Sequence, residues 1–171
     1  MDDLKNKRCC FVGHRKVERT PELEKRLFVE IEKMINAGVD TFYFGSKSEF
    51  DRICYKIVSE LKEKYNHIKR MYIRAEFSDV NEDYTNYLLE SYEDTYYPDK
   101  IRNSGKAAYV ERNQHMINQC DYLIVYYIDG YLPPRRRNSR RDLFDYQPNS
   151  GTKLAYDYAI QKKKNVINVA P

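Results

Sequence analysis

The sequence predicts an α/β fold in three layers, an open, mainly parallel five-stranded sheet with helices on both faces. Three observations predict it. Short apolar runs rich in β-branched and aromatic residues alternate with stretches of helical periodicity. The runs are continuously apolar, as strands covered on both faces are. Strands that alternate with helices, joined by right-handed crossovers, close into a parallel, Rossmann-like sheet.

The elements follow in order. Arg8 to Val12 reads as the first strand. Thr20-Pro21-Glu22 supplies a cap, a proline at the first helical position and an acidic first turn. The helix that follows carries Leu23, Leu27, Ile31, Met34 and Ile35 on one face, and Gly38 ends it. Thr41 to Phe44 is the second strand. A helix from Ser48 presents Phe50, Ile53, Cys54, Ile57, Val58 and Leu61. Arg70 to Arg74 is the third strand, Tyr122 to Tyr127 the fourth and Asn165 to Val169 the fifth. Lys106 to Gln119 and Gly151 to Lys162 are helical. Glu76 to Asp99 is acidic and tyrosine-rich, and Tyr84, Leu88 and Tyr92 place a short helix inside it. Pro133 to Arg141, with Arg135, Arg136, Arg137, Arg140 and Arg141, reads as a loop.

Composition narrows the class. A chain of 171 residues suits one domain over 1–171, with an acidic insertion at 76–105 and an Arg-rich loop at 131–149. Its 30 basic residues are nearly matched by 26 acidic ones, so a net charge of +4 gives no nucleic-acid signal by itself. No apolar run approaches the roughly 20 residues that span a bilayer, so no membrane partner is expected. Residues 1–7 lack an apolar signal core, and Cys9, Cys10, Cys54 and Cys120 show no Cys-x-x-Cys spacing. Reduced thiols in a cytoplasmic protein without a metal fit best. The 17 tyrosines and the opposed charged segments suggest a homodimer.

In an open parallel sheet, ligands bind outside the carboxyl ends of the strands, where the strand order reverses. Gly13-His14-Arg15 follows the first strand. Gly13 permits close backbone approach, and Arg15 suits a phosphate or carboxylate. Gly45, Ser46 and Ser48 open a helix whose free N–H groups and positive end attract anions. Asp51 either takes ribose hydroxyls or complements the helix dipole. Ser150, Gly151 and Thr152 repeat the pattern at the last helix, where Ser150 also serves as a plain N-cap. Arg112 and Asn113 either line the rim or lie on a solvated helix face. His67 and His115 stand alone, without metal-ligand spacing. The Arg run could hold phosphates, but it lacks interleaved aromatics and argues against nucleic acid as a partner.

Cys10-Phe11-Val12-Gly13-His14-Arg15 resembles the Phe-x-Gly-His-Arg opening of small bacterial YpsA-like proteins of the SLOG superfamily. Phe42-Tyr43-Phe44-Gly45 with Glu49-Phe50-Asp51-Arg52 is similar to that group's Gly-x-x-Gly-x-Phe-Asp-Arg segment. Tyr97-Pro98, Glu111-Arg112-Asn113 with Met116-Ile117, Cys120 to Ile124, Ser150-Gly151-Thr152, Tyr158-Ala159 and Asn165 to Asn168 follow in matching order. The resemblance implies a Rossmann-like fold that binds a nucleotide or a nucleotide-derived small molecule of NAD or ADP-ribose type, as a sensor in stress or phage defence. No cofactor beyond that ligand is expected. Relatives include cytokinin-activating phosphoribohydrolases and the DNA-processing Smf/DprA proteins. Two positions depart from the pattern. Ser48 stands where the family's phosphate loop has its second glycine, and Ala155 stands where the hydrolases carry their catalytic Glu. The alternative is a nucleotide N-glycosidase or deoxyribosyltransferase-like enzyme, with Asp51 or Asp121 as its carboxylate. A third reading is nucleic-acid binding through the Arg-rich loop.

Overall fold

Lys7–Gly13 forms β1, a strand whose alternate side chains enter two different cores. In this computed structural model, residues 7–75, 81–130 and 151–171 are described. The remaining elements are α1 (Pro21–Asn36), β2 (Val39–Phe44), α2 (Glu49–Lys64), β3 (Lys69–Ile73), α3 (Glu82–Leu89), β4 (Asp94–Tyr96), α4 (Lys106–Gln119), β5 (Tyr122–Tyr126), α5 (Gly151–Gln161) and β6 (Asn165–Asn168). The Arg-rich stretch 131–149, with Arg135, Arg136, Arg137, Arg140 and Arg141, lies outside the described residues, as do residues 76–80 of the acidic stretch and Ser150.

The helix starts are chemically marked. Thr20 accepts a hydrogen bond from the Leu23 amide at 3.1 Å ahead of Pro21. Ser48 accepts from the Asp51 amide at 3.1 Å. Asn81 accepts from the Tyr84 amide at 2.8 Å and starts the short helix expected in the acidic stretch. Each cap satisfies an amide that the helix itself leaves unpaired. Gly38, with φ of 104°, makes the left-handed turn after α1.

The sheet has the order β4-β3-β2-β1-β5-β6, and every neighbouring pair is parallel. The expected five strands are therefore six. The additional strand, β4, lies inside the acidic stretch and pairs Met71 with Asp94, Tyr72 with Thr95 and Ile73 with Tyr96. Its three residues include two polar ones, so no apolar run announces it. It is held instead by distant polar ties. The Glu93 amide donates to the Arg70 carbonyl at 2.9 Å, and the Thr95 hydroxyl donates to the Tyr72 carbonyl at 2.8 Å.

Cys9 and Phe11 of β1 face one layer with Leu27 and Ile31 of α1, Phe50 and Val58 of α2 and Leu88 of α3. Cys10 and Val12 face the other with Met116 and Ile117 of α4 and Ala155 and Ala159 of α5. The result is a three-layer, Rossmann-like open sheet. Among the described residues, no helix is long and apolar enough to cross a membrane.

Candidate functional site

β1 and β5 are neighbours, but the chain leaves β1 toward α1 on one face and leaves β5 toward α5 on the other. The strand order reverses here, and such a reversal leaves a crevice at the carboxyl edge of the sheet. His14 ties the two strand ends together. Its backbone N–H donates to the Tyr126 carbonyl at 3.4 Å, and its Nε2 accepts from the Ile128 amide at 2.9 Å. The ring is 1% exposed. Burial lowers its pKa to about 4, so the ring is neutral at pH 7, the state in which Nε2 can accept from the Ile128 amide.

Gly13 makes room for α2, because a Cβ there would overlap the Phe50 ring. Arg15 is exposed, and its carbonyl accepts from the Glu49 amide at 2.9 Å. The Glu49 side chain in turn accepts from the Val17 amide at 2.9 Å. The loop after β1 thus rests on the first turn of α2.

That first turn is held by a second set of contacts. Asp51 accepts from the Ser46 amide at 3.0 Å and the Gly45 amide at 3.4 Å. Arg112 of α4 donates to the Gly45 carbonyl from the other side. A Cβ on Gly45 would lie 2.7 Å from the Arg112 side chain, so only glycine admits this approach. Ser46 and Ser48 share a hydroxyl hydrogen bond of 3.1 Å, and the Ser48 amide donates to Ser46 at 3.3 Å. Asp51 and Arg112 are each 3% exposed. Burial pushes the Asp51 carboxyl up to about 6, against the Ser46 hydrogen bonds and the Arg112 charge. The structure therefore brings Gly45, Ser46, Ser48, Asp51 and Arg112 into one group, in which Asp51 and Arg112 grip the Gly45 backbone. Asn113 joins it by accepting from Arg112 Nε at 3.1 Å.

On the other side of the reversal, Gly151 opens α5 and is exposed, while Thr152 beside it is buried. Tyr127, one residue past β5, lies in the same region. Asn168 of β6 accepts from the Tyr127 amide at 3.1 Å and donates to its carbonyl at 2.9 Å. The Tyr127 ring stacks on Tyr156 of α5, with centroids 4.9 Å apart.

Asp121 does not share this edge. It precedes β5 at the amino end of the sheet, where it accepts from the Arg8 amide at 3.1 Å. His115 meets the Tyr96 hydroxyl at 2.7 Å. Among the described residues, no group of three His, Cys, Asp or Glu side chains could hold a metal. Glu49, Tyr127, Tyr156 and Asn168 belong to this edge although none is a candidate site residue in the sequence. The available signals were an acidic residue at the helix start, a tyrosine beyond the strand end and a polar residue ending an apolar strand.

A model of the YspA SLOG family matches residues 10–135. No curated protein matches the chain. Among solved structures, DNA processing protein A from Helicobacter pylori, described as having a unique single-stranded DNA binding mode, is similar with a TM-score of 0.56 at 15% identity. The alignment takes in 94% of this chain and 64% of that one, so this chain spans less than two thirds of its structural neighbour. At that identity the likeness concerns the fold. It nevertheless corrects one expectation. An Arg run without interleaved aromatics does not count against nucleic acid here, because this fold serves a protein described as binding single-stranded DNA.

Proposed function

The chain belongs to the YspA SLOG family, and from that premise we propose that it binds a nucleotide or nucleotide-derived small molecule at the carboxyl edge of its sheet. One observation carries the reading. The helices that follow β1 and β5, α1 and α5, lie on opposite faces where the strand order reverses, and His14 ties the two strand ends together there. The adjoining start of α2 supports it, because the Gly45–Ser48 turn is held rigid by buried Asp51 and Arg112. Buried side-chain atoms of two residues near the carboxyl edge lack a hydrogen-bond partner among the described residues: Asp51 Oδ1, and Nε and Nη1 of half-buried Arg74. Such groups cost stability unless something completes them. Arg15, exposed on the loop after β1, is the cation that meets phosphate, and Gly151 and Thr152 close the site from the α5 side. Binding is favoured over glycosidic cleavage, because the family resemblance puts Ala155, which is buried, where the related hydrolases carry a glutamate. Four buried free thiols suit a reducing, cytoplasmic setting.

Calorimetric titration with AMP, NAD, ADP-ribose and cyclic nucleotides tests the proposal. At least one ligand is expected to give a saturable heat that is lost on Arg15→Ala. Absence of heat from the whole panel at millimolar ligand overturns it. A second reading, single-stranded DNA along the same edge, is favoured by the Helicobacter pylori structure. It predicts oligonucleotide binding whose logarithm falls linearly with the logarithm of salt concentration.

A further inference from the structure

We propose that Tyr127 and Tyr156 form a stacking platform for the nucleobase of a phosphate-bearing ligand, an inference that rests on the nucleotide-binding reading above. The two rings are 4.9 Å apart at an interplanar angle of 28°, and each remains partly exposed. A base adds to such a pair as a further stacked ring.

The platform is built before any ligand arrives. Asn168 holds both the amide and the carbonyl of Tyr127. The Tyr127 hydroxyl donates to Asp129 at 3.0 Å. The buried His14 ring lies 6.0 Å from the Tyr127 ring, centroid to centroid. A ring fixed by its backbone, its hydroxyl and its neighbours loses little freedom on binding. Its hydroxyl is already engaged and one face lies on Tyr156, so recognition falls to the exposed part of the stacked pair. Its place fits the role. Tyr127 follows β5 at the strand reversal, and Tyr156 stands on the helix opened by Gly151, so the base lies beside the candidate phosphate site.

The chain contains no tryptophan, so Tyr156→Trp introduces a single indole as a reporter. Base-bearing probes (AMP, ADP-ribose and a short oligodeoxythymidylate) are expected to quench it, and ribose 5-phosphate is not. A response to AMP and ADP-ribose identifies a free nucleotide as the source of the base, and a response to the oligonucleotide alone identifies a nucleic-acid strand. Removing the ring with Tyr127→Leu is expected to weaken the responding probe by about tenfold or more. Tyr127→Phe, which keeps the ring, is expected to bind like the wild type. Undiminished binding by Tyr127→Leu, or binding that leaves the indole unquenched, overturns the platform while the nucleotide reading stands. Failure of the wild type to bind any base-bearing probe overturns both.

Discussion

Asp51 and His14 are both buried, and burial shifts them in opposite directions. Folded Asp51 keeps its proton up to about pH 6, whereas its ordinary value is 3.8. Between those values the folded chain holds more protons than the unfolded one, so this group lowers stability as pH rises through the window. Folded His14 stays neutral down to about pH 4, against an ordinary value of 6.5. There the unfolded chain holds the extra proton, so this group raises stability as pH rises. Over the shared window the two effects oppose each other. Asp51→Asn removes one of them while an amide oxygen can still accept from Ser46. Urea denaturation is expected to show the variant gaining on the wild type by about 2–3 kcal/mol between pH 4 and pH 6. A difference that stays constant across that range, or that moves the other way, contradicts the buried, protonated carboxyl.

At the scale of elements, β4 depends on side chains more than on its own three residues. Glu93 accepts two hydrogen bonds from the Arg70 guanidinium, at 2.8 and 3.1 Å, and another from the Arg70 amide at 2.7 Å. Burial alone would raise the Glu93 pKa, but the Arg70 hydrogen bonds outweigh it and the net shift is downward. Tyr55 also donates to the Ser91 carbonyl at 2.6 Å, fixing the chain just before the strand. Glu93→Gln weakens the bidentate pair at a cost of about 1–2 kcal/mol. Amide exchange at Arg74, which donates to the Tyr96 carbonyl, is expected to quicken while the β1–β5 amides keep their protection. Uniform loss across the sheet would instead mean that β4 is not a separately held edge. This dependence also explains what the sequence could reveal. α1 was legible because its signals, Thr20, Pro21, the apolar spacing and Gly38, lie within it or within two residues of its ends. β4 was not, because Asp94-Thr95-Tyr96 acquires its structure from residues more than 20 positions away. The site divides in the same way. Gly13, Gly45 and Asp51 stand out next to strand ends. Arg112 was readable as a rim or solvated residue, yet it is buried against Gly45, 67 positions distant. Tyr127 owes its place to Asn168, 41 positions on.

At the scale of the molecule, the two cores share their strands, and that sharing decides how the structure can come apart. Ile124 of β5 packs in the core with α1 and α2, while its neighbours Leu123 and Val125 pack in the core with α4 and α5. β1 divides in the same way through Cys9 and Phe11 against Cys10 and Val12. Neither layer of helices can leave without exposing strand residues whose neighbours still anchor the other layer. We therefore expect the six strands and five helices described to unfold as one cooperative unit. Ile124→Val removes one methylene from the first core at a cost of about 1 kcal/mol, which lowers Tm by about 2–4 °C for a chain of this size. The decisive measurement monitors that change through both layers. An indole placed by Tyr156→Trp reports on the α5 side, and backbone circular dichroism reports on the whole. Because the lost methylene lies on the α1 and α2 side, a local effect would leave the α5 reporter at its original midpoint. Coincident shifts of both signals establish that the sheet couples its faces, so that a ligand held at the strand reversal stabilises both helical layers at once.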